Sequence, residues 1–567
     1  MESKIKNLIN EALKNLGIEG ADFAIEHPAD LKMGDYSTNV AMVLSKKLGE
    51  SPRELAQKIA TSMSRMPLGM IEKIESAGPG FINFYLSKDF FVESIKEILG
   101  NKDFGKNDLM KGKRVMVEYT DPNPFKPFHI GHLMSNSIGE SIARLVEYSN
   151  AVTIRANYQG DIGLHVAKAT WGLMHKGKPD ENLSTEDQAE YIGMCYSFAS
   201  NLYEDDENTK KEIDAINKKI YTKEDPQINA LYEWGRKVTL EAFETVYKKL
   251  GTKFVHYFFE SEMAPIGKKI VLDNTPDVFE ESDGAIVFKA EKHDSKLHTR
   301  VFISSQGLPT YECKEIGLTV TKFEKENPDL SVIITAIEQG EYMRVVQKAV
   351  SLIHPDYEKR MKHITHGMLR FATGKMSSRK GNVITGESLI KDVSGSILEK
   401  IKDRDFTDTE REKVSIQVGV AALKYSILKQ GSGSDVIYDF EKSISFEGDS
   451  GPYMQYSYAR AKTLLDKARK EGVMPSTEKT AGDIMQIEKM LYRFPEVVSR
   501  SSSEFEPHYV ASYLIEIARV YNSFYGNTQI VNKEDSTSPY KVALTAAFAE
   551  VMQNGLYLLG IETPEKM

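Results

Sequence analysis

Apolar positions recur at helical spacing over residues 5–16, which predicts an amphipathic helix at the start of the chain. A second helix is expected to open near Ser37. The run Phe81-Ile82-Asn83-Phe84-Tyr85-Leu86 alternates as a half-buried strand does. Residues 1–108 therefore read as one small α+β unit, closed by a basic, glycine-containing link over 106–113. Beyond it the pattern changes. Apolar runs at 115–119, 152–157, 331–336 and 363–366 are separated by helical stretches, the βαβ rhythm of a parallel sheet. The helix after the first run spans about 131–148. Residues 174–283 are charged and helical, and read as an insertion into that sheet region. From about Asp408 the pattern is helical to the end, punctuated by Gly451-Pro452 before a helix over 453–470. The expected organisation is an α+β unit at 1–108, an α/β parallel-sheet region at 109–400 with a helical insertion at about 174–283, and an all-α region at 401–567. No internal repeat or low-complexity tract interrupts this.

The chain has 567 residues, 41% of them hydrophobic and 27% charged, enough for three or four ordinary globular cores. No apolar run approaches the roughly 20 residues that span a bilayer. The start lacks a secretory apolar core and an Arg-rich transit character. Two cysteines, Cys195 and Cys313, supply neither a disulfide framework nor a four-ligand zinc site, so no zinc is expected. A reducing cytoplasm fits these features. The formal net charge of −9 argues at first against a nucleic-acid partner. Locally the balance reverses: between 359 and 386 stand Lys359, Arg360, Lys362, Arg370, Lys375, Arg379 and Lys380, with no acidic residue. Such a run is usually a solvated surface, but the Met-Ser-Ser core of its loop favours a field for triphosphate or RNA backbone.

Two elements carry chemistry. His129-Ile130-Gly131-His132 sits at a strand-to-helix turn, where unpaired backbone N–H groups and the helix dipole favour a phosphate. Two imidazoles within one turn add donors, and Gly131 lets a flat base approach the backbone. Far downstream, Lys375-Met376-Ser377-Ser378 forms a basic loop. Together they describe a site where ATP is bound and its α-phosphate attacked.

The pair resembles the HIGH and KMSKS signatures of class I aminoacyl-tRNA synthetases. The flanking residues narrow the likeness. Glu118-Tyr119-Thr120-Asp121-Pro122-Asn123-Pro124-Phe125-Lys126-Pro127-Phe128-His129 and Gly374-Lys375-Met376-Ser377-Ser378-Arg379-Lys380-Gly381-Asn382 are similar to the matching stretches of arginyl-tRNA synthetases. So are Gly34-Asp35-Tyr36-Ser37-Thr38-Asn39, Gly78-Pro79-Gly80-Phe81-Ile82-Asn83-Phe84, Ser450-Gly451-Pro452-Tyr453-Met454-Gln455-Tyr456 and the closing Pro564-Glu565-Lys566-Met567. The likeness covers nearly the whole chain.

The resemblance implies a Rossmann-type parallel-sheet catalytic domain, an N-terminal α+β domain that touches tRNA and a C-terminal all-α anticodon-binding domain. It implies ligation of L-arginine to tRNA(Arg) by way of an arginyl-adenylate, with ATP as substrate and Mg2+ carried by its phosphates and water. A soluble cytoplasmic monomer, with no membrane partner, is expected. His129, Gly131, His132, His366, Met368, Lys375, Met376, Ser377, Ser378 and Lys380 would contact ATP. Lys126, His129, His132 and Lys375 would stabilise charge on the reacting phosphate. The usual second lysine of the loop is Ser378 here, and a lysine just before HIGH takes over in this family, a role carried to Lys126. Its alternative is simple exposure between two prolines.

Arginine as substrate calls for carboxylates and amide or phenol oxygens facing a planar fork of five donors. Glu118, Asn123, Tyr311, Glu315 and Gln339 match the family's positions, with Glu315 replacing its usual aspartate. The substitution keeps the charge and moves it by one methylene. Gly160-Asp161-Ile162-Gly163 resembles a loop near the site, with Ile162 where the family has Trp. Asn39 and Phe81 in the N-terminal unit, and Tyr453, Tyr456 and Arg460 in the helical one, are the candidates for tRNA contact. Tyrosines at that spacing also suit a helix core. Two other readings are a class I synthetase of a different amino acid (or a small nucleotidylyltransferase) and a non-catalytic, synthetase-like RNA-binding protein. The acidic pocket and the chain's length weigh against the first, and His129, His132 and Lys375 against the second.

Overall fold

The computed structural model describes residues 1–372, 385–480 and 482–567. The chain divides into two compact units. One holds residues 1–104, 460–495 and 516–552; the other holds 105–459, 496–515 and 553–567.

In the first unit, helices α1 (Glu2–Asn15), α2 (Val40–Leu48), α3 (Pro52–Ser64) and α4 (Lys88–Gly100) accompany an antiparallel sheet. Its strands are β1 (Ile25–Glu26), β2 (Tyr36–Thr38), β3 (Ile71–Ala77) and β4 (Phe81–Leu86), in the order β1-β2-β4-β3. The apolar stripe of α1 buries Ile5, Ile9, Ala12 and Leu13 in this unit's core. The helix expected near Ser37 begins instead at Val40, with Asn39 as its N-cap. Ser37 belongs to β2, where its hydroxyl donates to Asn83 Oδ1 at 2.7 Å across the sheet.

The second unit is built on a five-stranded parallel sheet. Its strands are β5 (Arg114–Glu118), β6 (Val152–Gln159), β7 (His256–Phe259), a strand over Leu330–Ala336 and another over Met361–His366. From edge to edge the order is Met361–His366, Leu330–Ala336, β5, β6, β7. The chain thus starts at the centre, builds outward one way and returns to build the other way. The reversal falls beside β5, and open α/β sheets bind ligands outside the strands' carboxyl ends at such a point.

Helix α5 (Ile130–Tyr148) follows β5, and α6 (Leu164–Lys176) follows β6. Next come α7 (Thr185–Asp205), α8 (Glu207–Thr222) and α9 (Pro226–Lys249), packed round their own core of Trp171, Ile192, Ile213, Ile228 and Tyr232. The stretch 174–283, read from the sequence as a helical insertion, also contains β7 and so contributes an edge strand to the main sheet. Four residues are too few to show alternation. Helices α10 (Glu260–Asp273) and α11 (Tyr311–Glu326) then cover one sheet face, packing Met263 and Leu318 on Met116, Ile154, Ala156, Tyr158 and Phe258. After the sheet come α12 (Gly386–Lys400) and α13 (Asp408–Leu428). The helical run after Asp408 is broken by a short strand, Val436–Tyr438, paired in parallel with Leu369–Phe371. Residues near the C-terminus fasten to α5 and α13: Ser141 donates to Leu558 O at 2.7 Å, and the fully buried Lys424 ammonium donates to Leu250 O and Gly560 O at 2.6 and 2.7 Å.

Candidate active site

The carboxyl end of β5 leads through residues 119–128 into His129, the N-cap of α5. The two imidazoles cap the helix reciprocally. The His129 N–H donates to His132 Nδ1 at 3.2 Å, and the His132 N–H donates to His129 Nδ1 at 3.4 Å. Each Nδ1 is therefore an acceptor, and the proton of each neutral ring sits on Nε2. The rings stack with centroids 3.4 Å apart. Burial, followed by the nearby Lys126 and His366, brings His129 down to about 4; burial, followed by His129, holds His132 well below the usual imidazole range. Both are neutral at pH 7, and the Nε2–H groups are donors that need not change protonation. A side chain at Gly131 would meet the His129 ring at 2.9 Å, so this glycine makes room for the cap.

His366 ends its strand with the ring buried; its Nδ1 donates to Gly367 O at 2.8 Å, leaving Nε2 as an acceptor. Met368 is exposed, and its N–H donates to Asp435 at 2.9 Å. Lys126 lies with its ammonium 5.2 Å from the Tyr196 ring. Lys375, Met376, Ser377, Ser378 and Lys380 lie outside the described residues. Thr385 pairs with His129, and the Gly386 N–H donates to Phe128 O at 2.7 Å, so the chain after that stretch lies against the histidine turn.

An acidic cluster occupies the same end of the sheet. Tyr311, Glu315, Leu318 and Lys322 form one stripe of α11, at i, i+4, i+7 and i+11, aimed at the face that carries Glu118. Glu118 and Lys322 form a buried ion pair at 2.8 Å. Glu315 is buried, and its Oε2 has no hydrogen-bond partner among the described residues. Burial and the neighbouring Glu118 push the Glu315 carboxyl up to about 8. Asp121 accepts the Tyr158 N–H at 2.8 Å and is raised well above the usual carboxylate range by burial and by Glu118. Glu260 pairs with Lys314 beside them, both buried. Among the described residues this cluster sets four carboxyl groups against two ammoniums, and a cationic ligand can be met by ionisation of the raised carboxyls of Glu315 and Asp121.

The chain's catalytic region matches the profile of the class I (R) tRNA synthetase catalytic domain over residues 94–440; residues 3–86 match the arginyl tRNA synthetase N-terminal domain, and 454–567 the DALR anticodon binding domain. This chain belongs to the class I arginyl-tRNA synthetases. The arginine–tRNA ligase of Fusobacterium nucleatum is 31% identical over 94% of the chain and 93% of its own length. That of Clostridium perfringens is 28% identical over 99% and 100%. Among solved structures, the arginyl-tRNA synthetase of Thermus thermophilus has the same fold, with TM-score 0.83 at 23% identity and full coverage of both chains.

Other predicted positions of this arginyl-tRNA synthetase are spread more widely. Tyr311 is exposed at the first turn of α11, under the Lys314 ammonium at 4.7 Å. Gln339 is exposed and accepts from Tyr342 at 3.3 Å. The Asn123 side chain lies against Gly160, where a Cβ would come within 2.1 Å of its Oδ1. The 160–163 loop thus shapes the wall around Asn123, and fully buried Asp161 holds it by accepting from Arg236 and from the Ser261 N–H and hydroxyl, each at 2.8 Å. Asn39 accepts the Ala24 N–H at 3.0 Å, while Phe81 is exposed. Tyr456 packs edge-on against Phe446, and Arg460 donates to Asn522 at 2.6 Å.

The basic run from 359 to 386 is not all free charge. Arg360 donates to Pro328 O, Lys362 lies over Phe505 and Arg370 pairs with Asp435. Sequence reasoning missed Asp121, Tyr158 and Lys322. Lys322 was within reach, because it extends the Tyr311–Glu315 stripe by two turns.

Proposed function

We propose that the chain is an arginine–tRNA ligase, joining L-arginine to AMP and then passing the arginyl group to the 3′-terminal ribose of tRNA(Arg). One observation carries the reading at the site: a buried acidic cluster, with a Glu315 carboxyl oxygen that has no hydrogen-bond partner among the described residues, lies at the sheet's reversal point, on the same strand end that leads into two neutral imidazoles.

In the first step the carboxylate of arginine attacks the α-phosphorus of ATP. A P–O bond forms to the carboxylate, the P–O bond to pyrophosphate breaks, and no proton moves. His129 and His132 donate Nε2–H to phosphoryl oxygens, while Lys126 and Lys375 offset the developing charge. Gly131, His366, Met368, Met376, Ser377, Ser378 and Lys380 complete the ATP site. Glu118, Asn123, Tyr311, Glu315 and Gln339 hold the substrate arginine. Mg2+ enters with ATP, held by phosphate oxygens and water. The ribose hydroxyl then attacks the adenylate's carbonyl carbon: the ester C–O bond forms, the C–O bond to the phosphate breaks, AMP leaves, and the hydroxyl proton passes to a phosphate oxygen or water.

Within the proposed division at 1–108, 109–400 and 401–567, the outer parts engage tRNA through Asn39 and Phe81, and through Tyr453, Tyr456 and Arg460. We place the enzyme in the cytoplasm as a monomer; among the described residues no helix is long and apolar enough to cross a membrane. No observation favours the two other readings.

ATP–pyrophosphate exchange across the twenty amino acids, with tRNA present, tests the assignment; exchange with any amino acid other than arginine refutes it. Omitting tRNA should abolish most exchange, because Ser378 replaces the loop's second lysine. Equal rates with and without tRNA would sink that point. Alanine at His129 or His132 should lower kcat about 10²–10³-fold.

A further inference from the structure

We infer that the Tyr158 hydroxyl is a specificity-determining contact for the substrate's guanidinium, sharing the end of the pocket with Glu315. This rests on the arginine reading above.

The sheet register places it there. Glu118 pairs with Ala156 and Tyr158 with Phe258 in parallel strands, so Glu118, Ala156 and Tyr158 share one face. Tyr158 lies two residues beyond Ala156, past the carboxyl end of β5. Its ring body packs in the core under α10 and α11, next to Met263 and Leu318. Its hydroxyl is buried, yet has no hydrogen-bond partner among the described residues, like Glu315 Oε2.

Buried hydroxyls normally find a partner, and leaving one unpaired costs free energy. Two unpartnered oxygens in one polar cluster mark where a donor-rich ligand completes the set. The titratable groups facing this hydroxyl are Glu260 at the start of α10, Glu315 on α11, Glu118 on β5, and Tyr342. Glu118 is engaged by Lys322 and Glu260 by Lys314, so each already has a cation. Glu315 has a free oxygen for one. A guanidinium presents five N–H donors in a plane and needs acceptors in more than one direction. The phenol oxygen accepts from one side of the fork while its proton turns to a carboxylate. A phenylalanine fills the same space and can do neither.

Tyr158→Phe tests this in the full-length enzyme with tRNA. The arginine KM in pyrophosphate exchange should rise about ten- to a hundredfold, the range for losing a hydrogen bond to a charged group. The ATP KM should stay within about twofold. The melting temperature without arginine should hold or rise, because an unpartnered hydroxyl is removed, while the upward shift caused by saturating arginine should shrink. A structural role would instead lower the ligand-free melting temperature and leave the arginine KM in place. An arginine KM within twofold of the parent overturns the inference. Parent enzyme that shows no arginine-dependent exchange overturns the functional reading instead, so the two failures are distinct.

Discussion

Glu140 and Glu315 are both buried glutamates of the catalytic unit, and their surroundings treat them in opposite ways. Glu140, on α5, accepts from the Tyr119 hydroxyl, from Arg144 at 2.7 Å and from Arg155 at 3.2 Å. Burial alone would raise its pKa, but the two guanidiniums and the phenol more than offset this and hold the carboxyl below its ordinary range. Glu315 has an oxygen with no partner among the described residues, lies next to Glu118, and is pushed up to about 8. Equal burial therefore does not decide the charge state; the supply of donors does. Glu140 is a finished piece of structure. Glu315 is left incomplete at the place where a cationic substrate is proposed to bind.

The largest expected effect comes from removing the finished charge. Glu140→Gln leaves Arg144 and Arg155 short of a buried partner and should cost about 3 kcal/mol, the lower end for breaking such a pair, since Arg155 keeps Glu147. Urea unfolding checks the loss, and the arginine KM of the folded fraction should stay within about twofold. A variant of unchanged stability with a raised arginine KM would erase the contrast between the two sites.

Glu315→Gln should do the reverse. Catalytic efficiency for arginine falls about a hundredfold, as for a lost charged hydrogen bond, while the ligand-free protein is no less stable. The pH dependence sharpens the point. Glu315 has a folded pKa raised from 4.5 to about 8, so its contribution to stability is complete below 4.5 and is lost as pH rises through 8. The substitution should flatten that alkaline loss. For Glu140 the folded pKa is lowered, so its contribution is present above the ordinary carboxylate range and lost as pH falls through the folded value. Arginine must displace a proton from Glu315, so in the parent enzyme the arginine KM should fall with rising pH, by up to about tenfold per unit below 8. A pH-independent KM between 6.5 and 8.5 would show that Glu315 is not the group that meets the guanidinium.

The two glutamates also differ in how far the sequence announced them. Glu118 and Glu315 stood out, one ending an apolar strand run and the other four residues after Tyr311. The long parallel strands were legible for the same reason: apolar runs bounded by helices. What stayed hidden was pairing over distance. Lys322 lies 204 residues from Glu118, and no local pattern links them. Tyr158, an aromatic inside a strand, looks like core until its hydroxyl is found without a partner among the described residues. In the basic run, too, pairing was hidden: no local pattern shows that Arg360 and Arg370 already have acceptors.

Lys322 gives the finest test of the comparison, because it makes Glu118 resemble Glu140 while Glu315 is left alone. Its ammonium is fully buried and its pairing with Glu118 crosses from α11 to the central strand. Lys322→Met keeps most of the volume and removes the cation, so Glu118 joins Glu315 in waiting for charge. Some of the loss is absorbed by Glu118 taking up a proton, which keeps the expected cost to about 1–3 kcal/mol, below that at Glu140. Arginine's single positive charge then meets two carboxyls that lack a cation rather than one, and its stabilising shift in melting temperature should grow relative to the parent. Differential scanning calorimetry with and without arginine measures both quantities. A smaller arginine-induced shift would mean that Lys322 positions Glu118 for the substrate, and that the pocket needs its resident cation as much as its unpaired acid.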